Sequence, residues 1–159
     1  MFKFIWIALL VYVADQLTKH AAVTYLMGHD IAVTPFLNLS LAFNTGAAFS
    51  FLSSASGWQN GFFIIVGIVA SIVILVMISR LGPGDVQAAV ALMLILGGAA
   101  GNVTDRMVHG YVVDFLDLYY RSWHWPTFNV ADSAITVGAA LLLMDALGLR
   151  FRRRDRSRT

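Results

Sequence analysis

From Gly61 to Ser79 the chain runs GFFIIVGIVASIVILVMIS without one charged side chain. At about 1.5 Å per residue, a helix of that length comes close to the ~30 Å of a bilayer's hydrocarbon. Hydrocarbon offers the backbone no partner, so a crossing segment must bond to itself, and a helix does so. Apolar stretches at about 4–25, 87–106 and 130–149, with the second span at about 61–80, meet the same requirement. Composition agrees, since only 13% of the residues are charged, about half the ~25% usual in soluble domains. A soluble globule of 159 residues, 58% of them hydrophobic, could not hide that much apolar surface. The expected fold is an all-α membrane fold of four transmembrane helices.

The first span opens on Lys3 and an apolar run, as a signal peptide does, but no small-residue cleavage site follows and Asp15 interrupts it. It reads as a retained helix. In the third, Gly97, Gly98, Ala99, Ala100 and Gly101 suit close helix–helix approach. The fourth begins after Pro126 and ends at Leu149. With four crossings, Lys3, Arg80 and the six arginines of the last ten residues share one side, against Lys19, Arg106 and Arg121 at the other. The positive-inside rule then places both termini in the cytoplasm and loops 26–60 and 107–129 outside. The tail 151–159 reads as a solvated or headgroup-touching segment with no nucleic-acid role. Residues 1–150 read as a single domain.

The outer loops are not ordinary linkers. Leu37, Leu39, Leu41 and Phe43 alternate with Asn38, Ser40 and Ala42, a period of two that predicts a strand. The stretch 110–120, GYVVDFLDLYY, has the same alternating character. With Phe49, Phe51, Leu52 and Trp58, these segments are expected to form a small β-platform and a lid loop at the outer interface.

Against this apolar background the polar residues stand out. Asp114 lies between Val113 and Phe115 with no adjacent base. A carboxylate near hydrocarbon is costly, by a few kcal/mol even on mild scales, so it asks for a purpose. Asp132 falls three residues after Asn129, where an Asn cap and an acid in the first helical turn would stabilise the fourth helix without any catalysis. That cap would also hold Asp132 at the outer mouth of the bundle, so the two readings are compatible. Two carboxyls that meet there would share a proton, the requirement of aspartic-type hydrolysis. Asp15 and Lys19, four apart, share a helix face and read either as an internal ion pair or as part of the reacting region. Asn44, before Gly46, is either a turn residue or a reader of substrate backbone. Asn102 and Arg106 are one helical turn apart, and Arg106 either snorkels to headgroups or holds a carboxylate ionised. Asp117, near Tyr119 and Tyr120, reads as solvated.

Other chemistries find no support. There is no cysteine, and His20, His29, His109 and His124 lack metal-ligand spacing. No GxSxG elbow occurs, and Ser133 has no evident base. Neither a metal nor a cofactor is expected.

DQLTK (15–19), NTGAAF (44–49), GNVTDR (101–106), VVDF (112–115) and FNVAD (128–132) occur in order. Together they make the chain resemble the bacterial lipoprotein signal peptidases, or signal peptidase II, from about residue 10 to 135. Thr104 departs by placing a hydroxyl where an apolar residue is expected. The resemblance implies an intramembrane aspartic endopeptidase of the bacterial inner membrane, active at the outer leaflet. It would cut prolipoproteins just before a cysteine already carrying diacylglycerol. It further implies that Asp114 and Asp132 are catalytic, and that Asn44, Asn102, Arg106 and Asn129 support or line the site. Asp15 and Lys19 match the first box. The expected partners are prolipoproteins and membrane lipids, and the chain is expected to be monomeric. The alternative from another class is a small proton-coupled transporter with Asp15 and Asp132 as carriers. Against it, the acids crowd one end of the spans and the halves show no repeat.

Overall fold

The computed structural model describes residues 1–46 and 58–149. The expected lid residues Phe49, Phe51 and Leu52 and the basic tail 151–159 lie outside the described residues. A 3-10 turn at Phe2–Phe4 leads into α1 (Ile5–Tyr25), β1 (Ile31–Thr34) and β2 (Leu37–Asn44). Then follow α2 (Trp58–Arg80), α3 (Val86–Val108), β3 (Val112–Tyr120), β4 (Trp123–His124) and α4 (Val130–Ala146). Each helix begins and ends within a few residues of an apolar stretch read from the sequence. The chain is mostly helical, with one small antiparallel sheet in the order β1-β2-β3-β4. Both expected strands are present, as β2 and β3. Among the helices, α2 and α3 are long and apolar enough by length and composition to cross a membrane. The helix α4 has 17 residues, and α1 carries Asp15 and Lys19 in its second half.

The hub is α3, which packs against each of the other three helices. Its small residues make this possible. A Cβ at Gly97 would stand 2.5 Å from the Ala8 carbonyl oxygen of α1, and one at Gly98 would run into the Ala131 carbonyl of α4. Adjacent glycines therefore admit two different helix backbones at close range. At one level Ala8, Ile74, Ile78, Leu92 and Met93 form a buried apolar cluster. At the other, Ala22, Leu26 and Phe115 are packed by Leu39, Leu41, Leu116 and Val130, which seats the sheet on the ends of α1 and α4.

The distribution of polarity is inverted relative to a soluble domain. Asp15, Lys19, Asp105, Asp114 and Asn129 are buried, while Phe62, Ile65, Val69, Ile72 and Val76 of α2 are exposed. An apolar exterior of this extent matches lipid, not water.

Candidate active site

Asn129 begins α4 and brings the site together. Just before it, Phe128 pairs with β3: its carbonyl accepts from the Phe115 and Leu116 N–H groups at 3.0 and 2.9 Å, and its own N–H donates to the Leu116 carbonyl. The start of α4 is thereby fixed beside Asp114. Asn129 caps the helix, its Oδ1 accepting from the Asp132 N–H at 2.9 Å, and Asp132 Oδ2 accepts from the Asn129 N–H at 3.3 Å. This is the reciprocal capping box, so the cap anticipated from the sequence is present. The Asn129 Nδ2 then donates to Asp114 Oδ1 at 2.7 Å. One residue thus holds both carboxyl groups, through its backbone and through its amide.

Asn44 supplies the second donor to Asp114, its Nδ2 reaching Oδ2 at 3.0 Å. Its own Oδ1 accepts from the Gly46 N–H at 2.9 Å, which is the turn contact expected of it. The positive φ of this turn, +85°, is carried by Gly46. The contact depends on an irregularity in the sheet. Leu39 pairs with Leu116, but Ala42 pairs with Asp114, so Ser40 and Leu41 oppose Phe115 alone. This one-residue bulge inverts the side-chain parity of β2 relative to β3. Before it, Asn38 shares a face with Asp117 and bonds to it at 3.2 Å; after it, Asn44 shares the opposite face with Asp114. Regular alternation, as expected from the sequence, would have turned Asn44 away.

Beneath the aspartates lies a buried ion cluster joining α1 and α3. Lys19 Nζ donates to Asp15 Oδ2 at 2.8 Å, Asp105 Oδ2 at 3.0 Å and Asn102 Oδ1 at 2.9 Å. Asn102 Nδ2 in turn donates to Asp132 Oδ1 at 2.8 Å. Asp15 Oδ1 accepts from the Ala131 N–H at 2.9 Å, satisfying another free donor of the first turn of α4. The i,i+4 pair expected of Asp15 and Lys19 is therefore present and reaches α3 and α4. Gly101 leaves it room, because a Cβ there would collide with Asp15 Oδ2.

Arg106 lies over the Phe63 ring, 4.7 Å from its centroid, within range of the charges of Asp114, Asp132 and Asp105. Its buried Nη1 has no hydrogen-bond partner among the described residues. Sequence reading passed over three contributors. Gln16 bonds Asp105 Oδ1 at 2.9 Å, Asn60 donates to the Arg106 carbonyl at 3.0 Å, and Phe63 faces the guanidinium. A polar residue beside Asp15 was the available signal for Gln16. Nothing in an apolar helix singles out Phe63. The expectation for Asp117 is corrected: it is buried, held by Asn38 and by His124 Nδ1 at 2.8 Å. The pairing of β3 with β4 sets Tyr119 opposite His124 and brings that imidazole to Asp117.

All eight candidate residues except Arg106 thus join one hydrogen-bonded network, and Arg106 stands beside it. Counting formal charges among the described residues, Asp15, Asp105, Asp114 and Asp132 face Lys19 and Arg106 as cations. Burial pushes Asp114 up to about 6; bonds from Asn44 and Asn129 oppose that rise, and the charge of Asp132 adds to it. The arrangement can hold one proton between two nearby carboxyls, as general acid–base chemistry on a water molecule requires.

The signal peptidase (SPase) II family model matches residues 7–148. A lipoprotein signal peptidase of Polynucleobacter necessarius subsp. necessarius (strain STIR1) is 50% identical over 152 residues, covering 95% of this chain and 93% of its own. That of Paraburkholderia phytofirmans (strain DSM 17436 / LMG 22146 / PsJN) is 54% identical over 143 residues, covering 89% and 82%. Among solved structures, a bacterial membrane enzyme determined by the in meso method at 1.9 Å resolution superposes with a TM-score of 0.82. It is 34% identical, over 92% of this chain and 94% of its own.

Proposed function

Because the chain belongs to the signal peptidase II family, we propose that Asp114 and Asp132 are the catalytic pair with which it cleaves prolipoproteins. The enzyme is an aspartic protease that removes signal peptides, and the transporter alternative finds no support. The observation that carries the assignment is Asn129, which binds one carboxyl with its amide and the other with its backbone. The ionised member takes a proton from water as the water attacks the scissile carbonyl, and the protonated member donates toward the developing oxyanion. Burial, which raises the Asp114 carboxyl to about 6, favours that side of the pair for the shared proton. Asn44, Asn102 and Asn129 orient the carboxyls, while Arg106, whose Nη1 has no partner among the described residues, faces the developing charge or a substrate carbonyl.

The same reading extends to the membrane. All four helices cross the inner membrane as one domain over residues 1–150, both termini and the tail 151–159 are cytoplasmic, and the sheet forms a platform at the outer leaflet. The chain acts as a monomer among lipids on a substrate whose cysteine already carries diacylglycerol. The charge asymmetry of the loops and the apolar surface of α2 support this placement.

The test is incubation of purified protein with a diacylglyceryl-modified prolipoprotein in detergent, followed by mass. Wild type releases the signal peptide. Asp114→Asn and Asp132→Asn, each still inserted and folded, release none, and substantial turnover by either variant sinks the assignment.

A further inference from the structure

We propose that Lys19 is a positioning residue that works through Asn102, fixing the direction of that amide and so keeping a donor on Asp132. The inference rests on the reading of Asp114 and Asp132 as the reacting pair. A side-chain amide has two ends of nearly equal shape and opposite hydrogen-bonding sense, and a half-turn about its last bond exchanges them. In the observed sense Asn102 Nδ2 donates to Asp132 Oδ1 at 2.8 Å. Reversed, the Asn102 carbonyl oxygen would face the carboxylate, acceptor against acceptor. The partners of Oδ1 decide between the two. An ammonium only donates, and Lys19 Nζ, 2.9 Å away, accepts no orientation of Asn102 but the one that presents oxygen.

The second partner, Asn129 Nδ2 at 3.2 Å, is longer and is shared with Asp114 Oδ1 at 2.7 Å. Asn129 is itself oriented from another direction, because its Oδ1 is committed to the Asp132 N–H at the start of α4. The two amides therefore point their NH2 groups at the two carboxyls for separate reasons, one set by a helix terminus and one by a buried cation. Lys19 has three donors, all used, on Asp15, Asp105 and Asn102. Neutralising Asp15 would need only the first. The third ties the cluster to Asp132, and a donor bonded to a cation-polarised amide is strengthened.

A plain ion bridge between α1 and α3 would give the same distances, so the test must read chemistry as well as folding. Lys19→Met alone strands two buried carboxylates. Asp15→Asn/Lys19→Met/Asp105→Asn removes the three charges together and keeps the volume, and Asn102→Asp keeps the Lys19 contact but removes the NH2 donor. Turnover of diacylglyceryl-modified prolipoprotein is measured against pH for these and for wild type, with Asp114→Asn and Asp132→Asn alongside. Expected in the triple variant and in Asn102→Asp is a fall in kcat of about 10- to 100-fold with KM little changed, as for a small misplacement of a reacting group. In Asn102→Asp the acid limb of the rate profile should also move to higher pH, because a carboxylate loses a donor and gains a like charge beside it; in the triple variant, where two anions leave with one cation, the fall in kcat carries the test.

Folded variants with the wild-type kcat and acid limb overturn the inference. So does a loss that merely tracks the folded fraction with the limb unmoved, or the absence of any folded protein in all of the variants, each of which makes Lys19 a structural bridge alone. Turnover by Asp114→Asn or Asp132→Asn would instead overturn the dyad, whatever Lys19 does.

Discussion

Replacing Asp114 by Asn should make the protein's stability less sensitive to pH, in a direction opposite to that of an ordinary acidic residue. Asp114 is 1% exposed, and burial carries its carboxyl from 3.8 to about 6. That rise corresponds to about 3 kcal/mol, at ~1.4 kcal/mol for each tenfold change in proton affinity. The folded state therefore holds the proton more tightly than the unfolded one. Stability associated with this group is complete below about 3.8 and is lost as pH rises to about 6, staying flat above. Asn at 114 also carries a penalty of its own. Both oxygens of Asp114 accept amide N–H groups, from Asn129 and Asn44, so one donor would meet another, at about 1–3 kcal/mol. That penalty does not vary with pH. The informative quantity is thus the change, between pH 4 and pH 8, in the stability difference between variant and wild type. It should favour the variant by up to about 3 kcal/mol at pH 8 relative to pH 4, or about 6–12 °C in Tm at ~2–4 °C per kcal/mol. Thermal unfolding of both proteins in the same detergent across this range measures it. A difference that stays flat, or that favours the variant in acid, would refute the argument that burial governs Asp114.

Three further substitutions separate roles that the site combines. Asn129→Ser keeps a competent helix cap but has no amide to reach buried Asp114, so thermal stability should fall by about 1–3 kcal/mol while turnover falls sharply in the folded protein; retained turnover would mean that the bond to Asp114 is dispensable. Gly101→Ala drives a Cβ into Asp15 Oδ2 and should destabilise by about 1–3 kcal/mol in thermal unfolding, with loss of activity. His124→Ala leaves buried Asp117 with Asn38 alone and should cost about 1–3 kcal/mol while sparing kcat, which a melting curve and a turnover assay resolve together.

How much of this was legible depended on whether the signal was local. The helices follow from apolar length, and the Asn129 cap with an acid in the first turn from the spacing of Asn129 and Asp132, because both are properties of consecutive residues. The Asp15–Lys19 pair followed from a separation of four. What could not be read were contacts that two distant segments create. Asp117 reads as solvated in the sequence because His124 reaches it only once β3 pairs with β4. Asn60 and Phe63 sit in an apolar helix, and their relation to Arg106 exists only through the packing of α2 on α3. The resemblance to a family supplied a substrate, which no distance within the chain contains.

The bulge at Ser40 and Leu41 has a consequence for how this strand can change over time. A point substitution within β2 alters one side chain, whereas the bulge makes the strand tolerant of a change in length. Removing one residue between Leu39 and Ala42 would heal the bulge into regular pairing and still leave Ala42 opposite Asp114 and Asn44 opposite Val112, on the face of Asp114. The segment thus carries one spare residue. A single deletion there should survive, while a single insertion would need a second irregularity to keep Asn44 on that face.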